Sequence, residues 1–231
     1  MPDLRPGPLS ALARTQARLK ARGPGEVVEL LWGRLKESIS SQETLVFLAR
    51  SPEKVETPQA SPKWEDLSLY RAGTTDGDDY AHWIGTDSAR TFSSRLSSAT
   101  RCYLVRHGGR VVHATWVTTS ASWVRELQRY FRVPEGNAYV YESFTRADAR
   151  GMGVYPFALT EICRALDAEG TQRVWVGVEH SNAPSLRAVT KAGFDPAFEV
   201  GYRRRWGKIR VELSSEALSA CPGCLDRTFN P

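Results

Sequence analysis

No apolar run in the 231-residue chain approaches the ~18 residues that a membrane-spanning helix needs, so no transmembrane segment is expected. The opening residues, Met1-Pro2-Asp3-Leu4-Arg5-Pro6, lack the apolar core of a secretory signal, and a cytoplasmic location is the expectation. Cysteine is scarce. Cys102, Cys163, Cys221 and Cys224 are too few and too unevenly placed for a disulfide framework. Cys221-Pro222-Gly223-Cys224 has half the ligand spacing of a zinc ribbon, or the spacing of a redox pair, but no second pair or matching histidine accompanies it. It is read as part of a tail with two free thiols, and no metal is assigned. Charge of one sign is also lacking: 31 Lys and Arg against 26 Asp and Glu leave a net +5, with the basic residues scattered. That balance suits nucleic acid, a lipid surface or a phosphorylated cofactor and selects none of them; a solvated surface is the simplest reading. Apolar and charged fractions of 41% and 25% exclude wholesale disorder.

Two helical stretches open the chain. Leu9, Leu12, Gln16 and Leu19 recur at helical spacing, and after Gly23-Pro24-Gly25 a second stretch places Val28, Leu31, Trp32, Leu35 and Ile39 on one face. Residues 1–40 are read as a helical hairpin whose apolar stripe packs on the body of the protein. Thr44-Leu45-Val46-Phe47-Leu48 reads as a buried strand, and the proline-bearing stretch 51–63 as an exposed connector, so 41–63 is set apart as strand and connector.

A mixed α/β order follows. A short strand at 67–70 and helices near 76–83 and 87–96 precede two strands, 102–106 and 111–117, joined by His107-Gly108-Gly109-Arg110. Residues 120–134 read as a partly helical insertion carrying Trp123, Leu127, Tyr130 and Phe131. Then come a strand at 139–145, a helix at 157–166, a strand at 174–178, a helix at 183–192 and a closing pair at 198–205 and 208–213. The last stretch, 214–231, is read as a tail.

Arg150-Gly151-Met152-Gly153-Val154-Tyr155-Pro156 lies between a strand and a helix. Glycines let backbone approach a ligand, and Pro156 fits a first helical turn, so unpaired N–H groups point back over the loop, an arrangement that binds phosphates. It is not a Walker loop, because no Gly-Lys-Ser/Thr ending is present, and it lacks the third glycine of a dinucleotide fingerprint. A second segment, Asn182-Ala183-Pro184-Ser185-Leu186-Arg187, closes with Lys191-Ala192-Gly193-Phe194 and by itself is a well-capped helix.

Together, Arg150, Gly151, Gly153, Asn182, Ser185, Lys191, Gly193 and Phe194 resemble the pattern of the GNAT superfamily of acyl-CoA-dependent N-acyltransferases, over residues 66–213. The resemblance extends to bacterial members with an insertion before the fourth strand, here 120–134. It implies an acyltransferase domain at 64–213 with a mixed, mostly antiparallel sheet, split between the fourth and fifth strands and flanked by helices. It further implies that acetyl-CoA or another acyl-CoA lies with its pyrophosphate on the backbone of Gly151, Met152, Gly153, Val154 and Tyr155 beside Arg150. The pantetheine arm would run along Phe144, Thr145 and Arg146, with Asn182 and Ser185 contacting it from the neighbouring helix. Two positions depart from the pattern: Tyr155 replaces a small residue in the loop, and Val189 stands where many members have the tyrosine that protonates the leaving thiolate.

An amine must lose a proton as it attacks a thioester. Glu142, on the strand leading into the loop, is the candidate base or else an ion-paired surface glutamate; Tyr141 and Tyr155 are candidate acids or core tyrosines. The expected activity is transfer of an acetyl or related acyl group to a primary amine on a small molecule such as an amino sugar or amino acid. The alternative is a non-catalytic acyl-CoA-binding sensor or scaffold. Nucleic acid is not an expected partner, while peripheral membrane contact and a homodimer stay open.

Overall fold

The computed structural model describes residues 41–51, 66–206 and 208–226. The expected N-terminal hairpin and residues 52–63 of the connector lie outside the described residues. β1 (Ser41–Arg50) carries the apolar run, with Leu45, Val46, Phe47 and Leu48 all buried because both of its faces are covered. β2 (Ser68–Arg71) is followed by two short helices, α1 (Gly77–Trp83) and α2 (Ala89–Arg95). The Ser88 hydroxyl caps α2, accepting from the Thr91 N–H at 3.2 Å. β3 (Thr100–His107) and β4 (Arg110–Thr118) form the expected hairpin.

β7 (Asn137–Thr145) leads into α3 (Val154–Ala168), β8 (Arg173–Glu179) and α4 (Ala183–Lys191), after a smaller hairpin of β5 (Ala121–Val124) and β6 (Arg129–Arg132). β9 (Asp195–Arg205), β10 (Lys208–Leu213), α5 (Ser215–Ala220) and β11 (Leu225–Asp226) complete the order. The main sheet runs β10-β9-β1-β8-β7-β4-β3-β2. Every neighbouring pair in it is antiparallel except β7 and β8, which are parallel. This is the mixed, mostly antiparallel sheet that the order of elements implied. β1 lies inside it, between β8 and β9, so the strand set apart from the domain on sequence shares its core.

One face of the sheet packs on α3 and α4, where Val46, Leu48, Val140, Val176 and Val178 meet Leu159, Ile162, Cys163, Val189 and Phe194. On the other face, Tyr80, Ile84 and Phe92 of the α1–α2 region cover Ala114, Trp116 and Phe144. Further along, Leu45, Phe47, Tyr139, Trp175, Phe198 and Val200 pack under Val124, Leu127 and Phe131.

That last layer corrects two expectations. Residues 120–134 are not partly helical: β5 and β6 pair, and β11 joins them in a three-stranded sheet. Trp123 is half exposed while its neighbours Ser122 and Val124 are buried, the period of a strand and not of a helix. The final residues are not a tail with two free thiols either. Cys221 and Cys224 are buried against the same layer and joined by a disulfide, their Cα atoms lying 5.5 Å apart, a span that a disulfide bridges.

Phe131 ties the layer to the sheet, fully buried with its ring centroid 5.0 Å from that of Phe47 and 4.6 Å from that of Tyr139. Phe131→Ala should lower unfolding free energy by about 3–5 kcal/mol, as measured by denaturant titration. A loss near zero would mean that the β5–β6 hairpin is not part of the core.

Candidate functional site

Both sequence segments singled out above leave the sheet from its one parallel pair. α3 follows the carboxyl end of β7 and α4 follows that of β8, so the two helix N-termini lie at the same end of the sheet. Parallel strands place their following loops together in this way, and ligands of open α/β sheets bind there.

The loop before α3 is anchored below and open above. Ala149 and Val154 are buried among Val105, Val112 and Ala158, whereas Arg150, Gly151 and Gly153 are exposed and Met152 is half-buried. Gly151 and Gly153 have φ of +74° and +81°, left-handed values that L side chains rarely adopt. A Cβ at either would meet nothing within 4 Å, so the space over the loop is open. In the first turn of α3, Phe157 N–H bonds to Gly153 O at 3.1 Å. The N–H groups of Val154 and Tyr155 precede that bond and Pro156 has none, so the 15-residue helix presents its positive end to the opening. These features fit a diphosphate. Arg150 folds back, its Nε donating to Thr145 O at 3.2 Å.

Asn182 caps α4, its Oδ1 accepting from Ser185 N–H at 3.2 Å; Asn182 is exposed and Ser185 half-buried. Val189 is fully buried in the core, so that position supplies no acid.

β7 is bulged where it nears the loop. Its register on β4 runs Trp116↔Tyr141 and then Ala114↔Phe144, so Glu142 and Ser143 both oppose Thr115. Glu142 takes φ of +46°, a left-handed value for a non-glycine. The extra residue puts Tyr141 and Phe144, three apart, on the same α1–α2 face. The ladder between β7 and β8 holds from Asn137↔Arg173 to Val140↔Val176 and stops there. From Tyr141 to Thr145 the edge of β7 toward β8 has no ladder among the described residues, leaving main chain for a strand-like ligand.

Glu142 is exposed and ion-paired: Arg95 Nη2 lies 2.7 Å from its Oε2, while Arg95 Nη1 lies 2.5 Å from Asp87 Oδ2. The guanidinium stacks over Trp116 at 3.9 Å from the ring centroid. Burial pushes the Tyr141 phenol above its ordinary pKa, opposed by the nearby Arg95 cation. Burial likewise raises Tyr155, opposed by hydrogen bonding with Ser143.

The structure therefore gathers Glu142, Tyr141, Phe144, Thr145, Arg146, the 150–155 loop, Asn182 and Ser185 around one end of the parallel pair. Sequence reasoning missed Arg95, which reaches the site from α2, and Asp87, which lies just before the Ser88 cap of that helix; neither carries a local signal. It also missed His113, Thr115 and Ser143, although the alternation of β4 already turned His113 and Thr115 to one face.

The acetyltransferase (GNAT) family model matches residues 63–194. Among solved structures, a GCN5-related N-acetyltransferase from Kribbella flavida is 14% identical with a TM-score of 0.51, the match covering 79% of this chain and 63% of that one. A GCN5-related N-acetyltransferase from Sphaerobacter thermophilus is 13% identical with a TM-score of 0.51, covering 80% of this chain and 57% of that one. A conserved protein of unknown function from Staphylococcus epidermidis is 10% identical with a TM-score of 0.50, covering 76% of this chain and 66% of that one. At these identities the likeness concerns the fold, and this chain spans less than two thirds of the length of each. No curated protein matches the sequence. Because the family match takes in more than half of the chain, from the connector through the glycine loop to Phe194, the chain belongs to the GNAT family of N-acetyltransferases.

Proposed function

We propose that this chain transfers an acetyl or related acyl group from acyl-CoA to a primary amine on a small molecule. The observation that carries the reading is the convergence, at one end of the parallel pair, of a left-handed glycine loop, a helix N-terminus and a strand whose edge is unladdered. Acyl-CoA supplies the activated thioester. Backbone N–H groups of residues 151–155 would hold its diphosphate beside Arg150, and Asn182 and Ser185 would flank it from α4. Main chain of Phe144, Thr145 and Arg146 would pair with the pantetheine arm and polarise the acyl carbonyl.

Glu142 is the proposed proton acceptor for the attacking amine. Its exposure gives an acceptor access from the α1–α2 side, and Arg95 holds the carboxylate at the bulge rather than leaving it to solvent. The buried Val189 is the one observation that favours a sensor without turnover. Incubation with acetyl-CoA and a panel of amines decides between the two readings: thiol release supports transfer, and saturable acetyl-CoA binding without release supports the sensor.

Gly153→Asp places a carboxylate in the proposed phosphate cradle and should weaken acetyl-CoA binding by about tenfold or more, roughly 1.4 kcal/mol, in calorimetry. Gly153→Asn imposes the same left-handed conformation without the charge and should retain most of the affinity. Equal affinity in all three proteins would remove the loop from the binding site.

Glu142→Gln should leave acetyl-CoA affinity nearly intact and lower turnover by about 10²–10⁴-fold, partly recovered at higher pH, where more of the amine is already neutral. Calorimetric unfolding on the same preparation measures what loss of the Arg95 pair does to the fold. Full activity in the folded variant would take Glu142 out of the mechanism.

A further inference from the structure

Basic residues that are scattered along most of the sequence gather at the turn joining β9 and β10. The register of that ribbon places Arg205 opposite Lys208 and Arg203 opposite Arg210. Directly paired residues share a face, and so do residues two apart, so all four cations project from one side of the ribbon. All four are exposed. Arg203 has a neutral neighbour, the Gln42 side-chain oxygen 3.5 Å from its Nη2. Among the described residues no carboxylate pairs with any of the four.

Like charges directly opposite one another destabilise a ribbon. β10 is an edge of the main sheet, and charges on an edge keep it from pairing with another chain, but either sign serves that purpose. Glu212 shows that the same face of β10 accepts an acid. Two facing pairs of cations are therefore not explained by protection of the edge, and they suit an anionic partner from outside the chain.

The turn itself adds a second observation. Trp206 follows Arg205 with φ of +51°, a left-handed value for which hairpin turns ordinarily use glycine or asparagine. It is 76% exposed, and among the described residues no ring or cation stacks on it. An indole held in strained backbone with nothing to pack on contributes little to the fold. The ribbon also projects. β1 sets Leu45 opposite Glu179 of β8 and Ser41 opposite Arg204 of β9, so the ribbon runs past the carboxyl end of β8 by roughly 13 Å. That is the end of the sheet at which α3 and α4 begin.

We propose that the β9–β10 ribbon docks this protein on an anionic bilayer surface, with Trp206 at the level of the headgroups and the four cations against lipid phosphates and carboxylates. Tryptophan favours the boundary between water and hydrocarbon, and each Lys or Arg close to an anionic leaflet strengthens binding about fivefold. The two rows of cations lie about 7 Å apart along the ribbon, within a Debye length of about 8 Å, so both feel the surface when the tip touches it. Single-stranded nucleic acid is served less well, because its bases stack on aromatics set among the cations. The outward positions flanking the four cations are Glu199, Gly201 and Glu212, none of them aromatic. Docking by this ribbon brings the end of the sheet that carries the opening toward the bilayer.

Cosedimentation of the full chain with vesicles tests the surface. The protein should bind phosphatidylcholine–phosphatidylserine vesicles, less so as salt is raised, and leave phosphatidylcholine vesicles largely unbound. Arg203→Gln with Arg210→Gln should weaken binding about 25-fold. Arg71→Gln with Arg90→Gln removes the same charge from exposed positions on β2 and α2 and should change it by less than about threefold. Trp206→Asn, which suits the left-handed turn, should weaken binding too and abolish the blue shift of tryptophan emission on anionic vesicles. The chain has seven tryptophans, so that shift is read as the difference from the variant.

Thermal unfolding separates docking from folding, since relief of facing cations or of a strained turn should leave Tm unchanged or raised. Arg205→Gln with Lys208→Gln carries the same expectation if the first pair does not fold. Equal losses in the ribbon pair and the Arg71 and Arg90 pair would reduce the effect to net charge and overturn the proposal. Unchanged binding in the ribbon pair or in Trp206→Asn would overturn it as well. Tighter binding to single-stranded RNA at equal phosphate concentration, lost in the same variants, would give the ribbon to nucleic acid instead. Binding is read without turnover, so a failure here leaves the acyltransferase reading intact, and an inactive protein that still docks through the ribbon leaves the surface intact.

Discussion

β7 and β8 run parallel in a sheet that is otherwise antiparallel, and a parallel pair cannot be closed by a tight turn. The chain has to leave β7 at its carboxyl end, cross one face and re-enter beside it. α3 is that crossing, and it begins within the glycine loop that gives it room to turn. α4 leaves β8 from the same end for the same reason. The position of both helix N-termini, the opening between them and the apolar packing of α3 and α4 on one face follow from that single pairing. β1 and β9 extend the sheet beyond β8 as antiparallel strands, which bury the outer edge of the parallel pair without adding a second opening of this kind.

The bulge in β7 depends on the same geometry. A strand that kept strict alternation past Val140 would turn Ser143 to the α1–α2 face and Phe144 to the α3 face. The extra residue at Glu142 exchanges them, so Phe144 completes the apolar cover beneath α1 and α2 while Ser143 and Thr145 meet His113 and Thr115. The left-handed backbone at Glu142 costs about 1–3 kcal/mol. It persists because the flanking residues are fixed on opposite faces and Arg95, stacked on Trp116, holds the Glu142 carboxylate. Strain and ion pair thus sit together at the bulged residue, Glu142.

Much of this was legible in the sequence where a residue type has one physical use. Gly151, Gly153 and Pro156 mark a strand-to-helix turn with free N–H groups, Asn182 marks a cap, and the apolar run at Leu45–Leu48 marks a strand covered on both faces; all three readings hold in the structure. Period failed in the 120–134 segment, where three aromatics and a leucine satisfy helical spacing although Ser122 and Val124 set the true alternation. The disulfide was missed because spacing alone does not say whether two cysteines face each other. Arg95 could not be found at all: its role comes from α2 lying across Trp116, a contact between residues 21 positions apart whose closeness only the folded sheet creates. The bulge was equally hidden, since one inserted residue changes faces without changing composition.

The buried polar row under α3 shows how a core tolerates hydrogen-bonding groups. An unpaired imidazole or hydroxyl there would cost roughly 1–3 kcal/mol, and the surrounding Val, Leu and Ile side chains offer no partner. Each group along the row instead finds one: Thr145 donates to His113, His113 to Thr115, and Thr115 to Ser143. Polarity of this kind is all or nothing, because removing one member strands the next. Cys102 and Cys163 are buried as well, but burial only raises their thiols and leaves them inert. The row differs in having a direction, because Thr115 donates to Ser143 and so accepts from His113. It runs from Thr145, beside the loop, to Ser143 on the bulged stretch of β7.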